Sequence, residues 1–257
     1  MCYNIEIHLE NTLKRARHYG DEAWIRKIEE ALIPYKLKNY YQISGYSHPE
    51  ILIYTNNQPY FPIPAKWGLI PSWIKDLDAA NEIMNKTLNA RGESIFEKPS
   101  FKNSARTKRC LIYVNGFYEH HHLNGKTYPY YVYNRNNDPL ILGGLWDEWV
   151  NKNTGEVYRT CSIITTKANK LMSKIHNNPK LSESRMPFIL KEEDQQYWLN
   201  VDNRLTETEL HRLIKPFDYK KMQAHSVQKL SGKYSFGNVA EAKKEYFYEE
   251  LNSNTLF

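Results

Sequence analysis

Four strand-forming segments follow one another in the middle of this chain, and they constrain its fold more than any other feature. They are rich in β-branched and aromatic residues and are predicted at 110–119, 127–134, 140–149 and 158–165. They do not show the strict alternation of strand and helix that a doubly wound parallel sheet requires. The sequence therefore predicts an α+β fold built on a mostly antiparallel sheet.

Helical segments are predicted on both sides of these strands. Apolar residues recur at helical spacing over 11–33, where Pro34 ends the pattern. Further helices are predicted at 76–87, 98–108, 167–177, 191–200 and 207–215, and short strands at 51–54 and 185–190. Four prolines in and beside residues 60–73 exclude a helix there. No linker or repeat divides the 257 residues, which predicts a single domain over 1–257.

Composition and cysteine spacing exclude several classes of protein. Hydrophobic residues make up 41% and charged residues 25% of the chain, which excludes a disordered or fibrous protein. No run approaches about 18 consecutive apolar residues, so no membrane span is predicted. The N-terminus has no secretory pattern, and a cytoplasmic location is expected. The three cysteines, Cys2, Cys110 and Cys161, have neither the spacing of a thiolate metal site nor that of a disulfide framework.

Basic and aromatic residues are concentrated between Lys98 and Arg135. This stretch holds seven lysines and arginines against one acidic residue, Glu119, and so equals the +6 charge of the whole chain. Cations that neutralise phosphates, mixed with rings on which bases stack, are typical of a surface for single-stranded nucleic acid. Composition alone favours a simpler alternative, a solvated helix followed by strands whose aromatic residues form the core.

Cys2 directly follows the initiator methionine. If Met1 is removed, residue 2 carries a free α-amine and a thiol on adjacent carbons. Because an α-amine has a pKa of about 7.7–8.0, a useful fraction of it is neutral and nucleophilic at physiological pH. Such an amine condenses with an aldehyde to an imine, on which the thiol closes a five-membered thiazolidine. Taken alone, a cysteine at position 2 is better explained as an arbitrary residue. A catalytic role for it needs support from other segments of the sequence.

Five motifs elsewhere in the chain occur in the order of a known family. They are Trp67–Trp73 (WGLIPSW), Asn89–Glu93 (NARGE), Gly116–Glu119 (GFYE), Ile175–His176 and Arg185–Leu190 (RMPFIL). Together with Met1–Cys2 they make the chain resemble the SOS response-associated peptidase (SRAP) family over residues 2–239, with 240–257 as a C-terminal extension. The resemblance implies a single-domain α+β fold with a curved or barrel-like β core flanked by helices.

The resemblance also implies a chemistry. SRAP proteins are cysteine autopeptidases that remove their own first methionine, bind single-stranded DNA and join an abasic site to the N-terminal cysteine through a thiazolidine. The family's catalytic residues fall here on Cys2, Asn89, Glu119 and His176. A partly buried Glu119 suits proton transfer near neutral pH, His176 is expected to titrate in the same range, and Asn89 would hold the amine or an oxyanion. Taken singly, these three residues also fit a strand-end carboxylate, a helix C-terminal histidine and a turn or cap residue.

DNA contacts are implied by the same motifs. Arg91 would pair with a phosphate, Trp73 would stack on a base beside the lesion, and Thr165 would hydrogen-bond near the abasic site. Trp67 fits the core as well as it fits a contact. The expected partner is single-stranded DNA containing abasic sites, bound by a monomer without a cofactor. A metal is not expected at Glu119 and the histidines that follow it, because consecutive residues of a strand point to alternate faces.

The chain departs from the family pattern at three places. Tyr3 and Asn4 replace the usual glycine and arginine, which removes an arginine contact to phosphate. His120 occupies a position where tryptophan is common, and residues 177–184 lengthen the segment that follows His176. None of these changes falls on the four catalytic positions, so they bear on DNA affinity more than on chemistry.

Two other functions remain open on the sequence. Cys2 could be the thiol nucleophile of an N-terminal-nucleophile amidohydrolase that acts on small amides or peptides, with its own amine as the base. A chain that keeps Met1 would be a non-catalytic binder of single-stranded DNA, because the amine would be held in an amide. Within the crosslinking reaction, an imine that the thiol does not capture could undergo β-elimination, which predicts a weak lyase activity.

Overall fold

The computed structural model describes residues 2–199 and 205–252. Its strands are β1 (Asn4–Ile7), β2 (Tyr40–Ser44), β3 (Glu50–Thr55), β4 (Ile63–Trp67), β5 (Asn89–Arg91), β6 (Arg109–Val114), β7 (Gly116–Leu123), β8 (Lys126–Asn134), β9 (Leu140–Val150), β10 (Val157–Lys167), β11 (Arg185–Pro187) and β12 (Met222–Ser226). Its α-helices are α1 (Leu9–Thr12), α2 (Lys14–Tyr19), α3 (Glu22–Leu32), α4 (Leu77–Met84), α5 (Lys102–Thr107), α6 (Lys170–Ile175), α7 (Glu192–Leu199), α8 (Glu207–Leu213) and α9 (Glu249–Asn252). Met1, the predicted helix end at Asn200 and the last residues of the C-terminal extension lie outside the described residues.

Two sheets organise these elements. The first has five antiparallel strands in the order β12-β8-β7-β1-β2. In the second, β10, β4, β3, β6 and β9 pair in turn and β9 pairs back with β10, while β5 and β11 also pair with β10. β10 runs parallel to β4 and β5 and antiparallel to β9 and β11. The predicted α+β architecture with a mostly antiparallel, barrel-like core is confirmed.

The segment predicted as one strand at 110–119 divides into two strands that lie in different sheets. β6 and β7 meet at Asn115, whose backbone N–H donates to the Glu6 carbonyl at 2.8 Å. The Asn115 side-chain oxygen accepts from the backbone N–H of His8 at 2.9 Å. The prediction of one continuous strand was wrong because both halves have strand-like composition, whereas the division depends on contacts of Asn115 with a segment about a hundred residues away.

The helix predicted over 11–33 is interrupted. Gly20 is extended, with φ −119° and ψ 158°, and ends α2. Asp21 then caps α3, because its carboxylate accepts from the backbone N–H of Trp24 at 2.8 Å. α3 ends at Leu32, before Pro34, as the sequence predicts. No helix in the described ranges is long and apolar enough to cross a membrane.

Alternate residues of the barrel-like sheet contribute to two cores. Ile51 and Ile53 of β3 belong to a core shared with β1, β7 and β8 of the five-stranded sheet. Leu52 and Tyr54 belong to a second core that is covered by helices. Cys2 is part of the first core and is fully buried. The N-terminal segment that carries the candidate nucleophile therefore lies between the two sheets.

The beginning of the predicted C-terminal extension packs onto the strand that follows Cys2. Lys243, in a 3-10 helix, donates to a carboxylate oxygen of Glu6 at 2.7 Å. The other Glu6 oxygen accepts from the Tyr131 hydroxyl, and Glu6 is fully buried. The Lys243 ammonium thus compensates the charge of Glu6 and the Tyr131 hydroxyl satisfies its second oxygen, which stabilises a buried carboxylate next to the candidate site.

Candidate active site

The pairing of β1 with β7 sets the position of Cys2 relative to Glu119. Asn4 pairs with Tyr118 in an antiparallel register, which places the residues before Asn4 alongside Glu119. Burial raises the pKa of the Cys2 thiol, and the nearby negative charge of Glu119 raises it further. The thiol is therefore protonated at neutral pH and is not a preformed thiolate.

Asn89 holds the backbone of Cys2. β5 places Asn89 next to Ile163 of β10, in a parallel pairing that continues through Ala90. The Asn89 side-chain nitrogen donates to the Cys2 carbonyl at 2.8 Å. Its side-chain oxygen is buried and has no hydrogen-bond partner among the described residues. A buried acceptor without a partner is costly, so this oxygen is suited to receive an N–H or O–H group at the N-terminal amine.

His176 follows the last turn of α6 and faces Glu119. Its Nδ1 accepts from the backbone N–H of Arg185 at 3.1 Å, so the neutral ring carries its proton on Nε2. Nε2 lies 3.9 Å from a carboxylate oxygen of Glu119. Burial lowers the pKa of His176 to about 4, with smaller contributions from neighbouring positive charges. The expectation that His176 titrates near neutral pH is thus wrong in this structure, because the ring is almost fully enclosed.

The pKa of Glu119 is raised, whereas that of His176 is lowered. It lies in the middle of β7, not at a strand end, and only 5% of it is exposed. One of its oxygens accepts from the backbone N–H of His120 at 2.9 Å. Burial raises the pKa of the Glu119 carboxyl above its usual value, although backbone hydrogen bonding opposes this shift. Of the two groups, Glu119 is the one whose pKa moves toward neutrality, as expected of a general acid or base.

Arg185 orients the His176 ring through a backbone hydrogen bond and is itself held by buried contacts. Its guanidinium is buried and donates to the Thr165 carbonyl at 2.8 Å, to Glu93 at 2.7 Å and to Glu183 at 3.1 Å. The same residue supplies the backbone N–H that His176 accepts. Motif order pointed to the segment that begins at Arg185, but no sequence signal indicated that its backbone selects the histidine tautomer.

Replacing Arg185 with methionine is expected to lower the free energy of unfolding by about 1–3 kcal/mol, because buried acceptors around Thr165 lose their donor. Urea denaturation followed by circular dichroism measures this change. The matched control is Arg17→Met, since the one ion pair of Arg17 among the described residues is an exposed pair with Glu29 at 4.0 Å, whose loss should cost well under about 1 kcal/mol. Equal stabilities of the two variants would contradict a structural role for Arg185.

Comparison with known protein families gives an assignment that agrees with the geometry of the site. A family model described as SOS response associated peptidase (SRAP) matches residues 2–234. The chain belongs to the SRAP family. The resemblance predicted from the ordered motifs is therefore confirmed.

Relatives of this SRAP protein come from bacteria and animals. The abasic site processing protein YoqW of Bacillus subtilis (strain 168) is 40% identical over 166 residues, which cover 64% of this chain and 68% of YoqW. The abasic site processing protein HMCES of Mus musculus is 30% identical over 254 residues, with 85% of this chain and 69% of HMCES covered. A crystal structure of a protein from Bacteroides thetaiotaomicron has a TM-score of 0.81 and 32% identity, covering 96% of this chain and all of that chain.

Two tryptophans of one SRAP motif have different environments. Trp67 is fully buried, and its indole N–H donates to the Leu88 carbonyl at 2.8 Å, so it belongs to the core. Trp73 is 52% exposed. Its loop begins at Gly68, where φ is 123° and an added Cβ would lie 2.9 Å from the Met84 carbonyl oxygen. Trp73 is therefore the one of the pair that is available to a ligand.

The other two predicted DNA contacts also differ in exposure. Arg91 is exposed at the end of β5, two residues beyond Asn89. Thr165 is fully buried, and its hydroxyl lies 3.4 Å from the Ala90 carbonyl and 3.3 Å from Arg185 Nε. Thr165 thus contributes to the packing behind the site, whereas Arg91 presents its charge to solvent.

Two of the three departures from the family pattern, Tyr3 and the lengthened segment after His176, make contacts in the structure. Tyr3, next to Cys2, stacks on Tyr46 with ring centroids 5.1 Å apart, and Tyr46 is 55% exposed. The lengthened segment begins at Asn177, which exchanges two hydrogen bonds with the backbone of His122, at 2.7 and 2.9 Å. This anchor leaves the contact between His176 and Arg185 intact. The tyrosine pair was not predicted, because Tyr46 lies outside every motif.

The histidines after Glu119 differ in their environments. His121 is buried, and its Nδ1 lies 2.9 Å from the Lys174 carbonyl oxygen. Burial lowers the pKa of His120 to about 4. Within residues 2–199 and 205–252, no group of three or more His, Cys, Asp or Glu side chains is arranged to hold a metal ion.

Proposed function

We propose that this SRAP protein captures abasic sites in single-stranded DNA by forming a thiazolidine between the lesion's aldehyde and Cys2. One observation carries the proposal: Asn89 binds the Cys2 carbonyl at 2.8 Å, on a buried segment next to a Glu119–His176 pair. A small cluster of an amide, a carboxyl and a neutral imidazole around a residue with an amine and a thiol matches the needs of aldehyde capture. The relatives named abasic site processing proteins support the same substrate.

The first step is removal of Met1 by hydrolysis of the Met1–Cys2 peptide bond. Met1 lies outside the described residues, so its removal is part of the proposal. Hydrolysis releases methionine and leaves the α-amine of Cys2 free, with a usual pKa of about 7.7–8.0. The Asn89 oxygen, which has no hydrogen-bond partner in residues 2–199 and 205–252, then has an N–H donor within the same site.

The second step is imine formation. The neutral amine attacks the aldehyde carbon of the ring-opened sugar, and the carbinolamine loses water. Glu119 can give a proton to the departing oxygen, because burial raises the pKa of its carboxyl. His176 is neutral and acts through its Nε2–H, which can donate a hydrogen bond to the carboxylate or the sugar oxygen.

The third step closes the ring. The Cys2 sulfur adds to the imine carbon, and the thiol proton passes to the nitrogen, so no leaving group is required. Because burial raises the pKa of the thiol, the sulfur stays protonated until the imine is formed next to it. An imine that escapes closure is the species from which β-elimination of the DNA strand begins, which accounts for the expected weak lyase activity.

Trp73 is proposed to stack on a base beside the lesion, and Trp73→Ala is expected to weaken binding to undamaged single-stranded DNA by about 5- to 150-fold, from about 1–3 kcal/mol of stacking. Fluorescence anisotropy with a labelled oligonucleotide measures the loss. Tyr35→Ala is the control, since Tyr35 is also exposed (39%) but lies outside the motifs. If both variants bind equally well, Trp73 is not a contact.

Intact-mass spectrometry tests the proposed function. The purified protein should be lighter than the encoded chain by one methionine residue. After incubation with uracil-glycosylase-treated single-stranded DNA, a species should appear at the mass of protein plus DNA minus one water. A protein that retains Met1 and yields no adduct would overturn the proposal, and turnover of small amides instead would favour the amidohydrolase alternative.

A further inference from the structure

A groove of about 760 Å³ lies away from the four site residues. It is formed by α2, the turn between β8 and β9, the start of α7 and the 3-10 helix Tyr219–Lys221. None of Cys2, Asn89, Glu119 and His176 lines it. Its volume is within the range of about 300–1,000 Å³ that is typical of sites for small molecules.

Arg15 forms part of the floor of this groove. It is only 3% exposed, yet it has no ion pair with any carboxylate in the described part of the chain. Nε donates to the Pro59 carbonyl at 2.7 Å and Nη1 to Gln195 at 3.0 Å, while Nη2 is buried without a hydrogen-bond partner among the described residues. The rings of Tyr19, Tyr54 and Tyr60 lie 5.1, 5.9 and 5.6 Å from the guanidinium carbon and stabilise part of this charge. They supply no negative charge, so an anion in the groove would still add the missing counter-ion.

Gln195 adds an oriented donor beside Arg15. Its side-chain oxygen accepts from both Arg15 Nη1 and the Tyr113 hydroxyl, at 3.0 and 2.8 Å. Because both hydrogen bonds use the side-chain oxygen, they fix the orientation of the amide, and the amide nitrogen of Gln195 is available to another acceptor. That nitrogen makes no hydrogen bond to any described residue, although Gln195 is only 5% exposed. The floor thus offers donors and positive charge rather than acceptors.

The rim of the groove carries more positive than negative charge. Lys14 pairs with Asp138 at 3.1 Å and Lys191 with Glu193 at 3.4 Å, so these four charges compensate one another. The remaining lining cations of the rim are Arg135, Lys220 and Lys221, against one remaining carboxylate, Glu192. These three cations form no ion pairs within the described ranges. Tyr19 also lines the groove, with 49% of its surface exposed.

We propose that this groove is a second binding site, which takes a phosphate-bearing ligand of nucleotide size. The phosphate would lie over Arg15 and Gln195, within reach of Arg135 and Lys221 at the rim, and Tyr19 offers a ring on which a base can stack. The phosphate could belong to a free nucleotide or to a segment of a DNA strand, since both present the same group. The site is independent of the chemistry proposed at Cys2.

Isothermal titration calorimetry with deoxyadenosine monophosphate, inorganic phosphate and a ten-residue deoxyadenosine oligonucleotide tests this site. The wild-type protein should bind the monophosphate, and Arg135→Ala/Lys221→Ala should weaken that binding at least tenfold. Arg15→Met should abolish it, and circular dichroism shows whether that variant is folded. Because both rim residues are exposed, the double variant keeps the test valid even if Arg15→Met does not fold.

The matched control is Lys27→Ala/Lys215→Ala, which removes two exposed cations outside the groove and should leave binding unchanged. If only the oligonucleotide binds, and the rim variant weakens it more than the control does, the phosphate comes from a DNA strand. Absence of binding by all three probes, or equal affinities of the rim and control variants, would overturn the proposal. Cys2→Ala should bind the monophosphate normally, so failure of the proposed crosslinking would not affect this result.

Discussion

Cys2→Ala is expected to reduce the heat-stable adduct with abasic single-stranded DNA to below detection. The variant keeps an α-amine at residue 2 once Met1 is removed, but it lacks the sulfur that closes the thiazolidine. Its imine remains reversible and hydrolyses on heating. Denaturing gel electrophoresis after heat treatment measures the adduct. Intact-mass spectrometry selects the preparation in which Met1 is absent, since an alanine whose nitrogen is still held in the Met1 amide cannot form the imine.

Reduction by borohydride separates the two halves of the reaction. In Cys2→Ala the imine should be trapped as a stable amine when borohydride is present, whereas no adduct should survive heating without it. Cys110→Ala and Cys161→Ala are the controls, because both thiols are also fully buried but belong to the barrel-like sheet. Both controls should form the adduct without reductant. A heat-stable adduct from Cys2→Ala at the wild-type yield would show that another group captures the aldehyde.

The architecture was largely predictable because its main signal is local. Long strands such as β9 and β10 have the β-branched and aromatic composition of the predicted segments, and their observed bounds extend those segments by at most a few residues. The boundary at Asn115 was not predictable, since the hydrogen bonds that turn the chain there come from β1. Local composition identifies a strand but does not identify the sheet to which it belongs.

The proximity of the candidate residues was predictable from the sequence, but their electrostatics were not. Motif order placed Asn89, Glu119 and His176 with Cys2, and the structure brings these residues together. The lowered pKa of His176 was not predictable, because it results from enclosure of the ring. The groove at Arg15 was missed for a similar reason, since its lining comes from segments that share no motif. Properties that depend on burial need the fold before they can be assigned.

Glu119→Gln is expected to slow adduct formation by about 10²- to 10⁴-fold, the usual contribution of a positioned acid or base. Glutamine has nearly the same shape and can still accept the backbone N–H of His120, but it has no proton to transfer. Single-turnover rates at saturating abasic DNA measure this step separately from binding. The affinity for undamaged single-stranded DNA should not weaken, because the substitution removes a negative charge. Glu22→Gln, at an exposed position of α3, is the matched control.

The pH dependence of the same rates identifies the group that carries the proton. Because burial raises the pKa of Glu119, its carboxyl stays protonated to higher pH than an exposed glutamate, and proton donation is lost as pH rises through that raised pKa. This loss of proton donation should appear as a decrease in rate with rising pH. His176 cannot produce that decrease near neutral pH, since its pKa is lowered to about 4 and its ring is already neutral there. The decrease should therefore disappear in Glu119→Gln and persist in His176→Gln. If His176→Gln removed the decrease instead, the histidine would be the proton donor and the assignment of the two roles would have to be reversed.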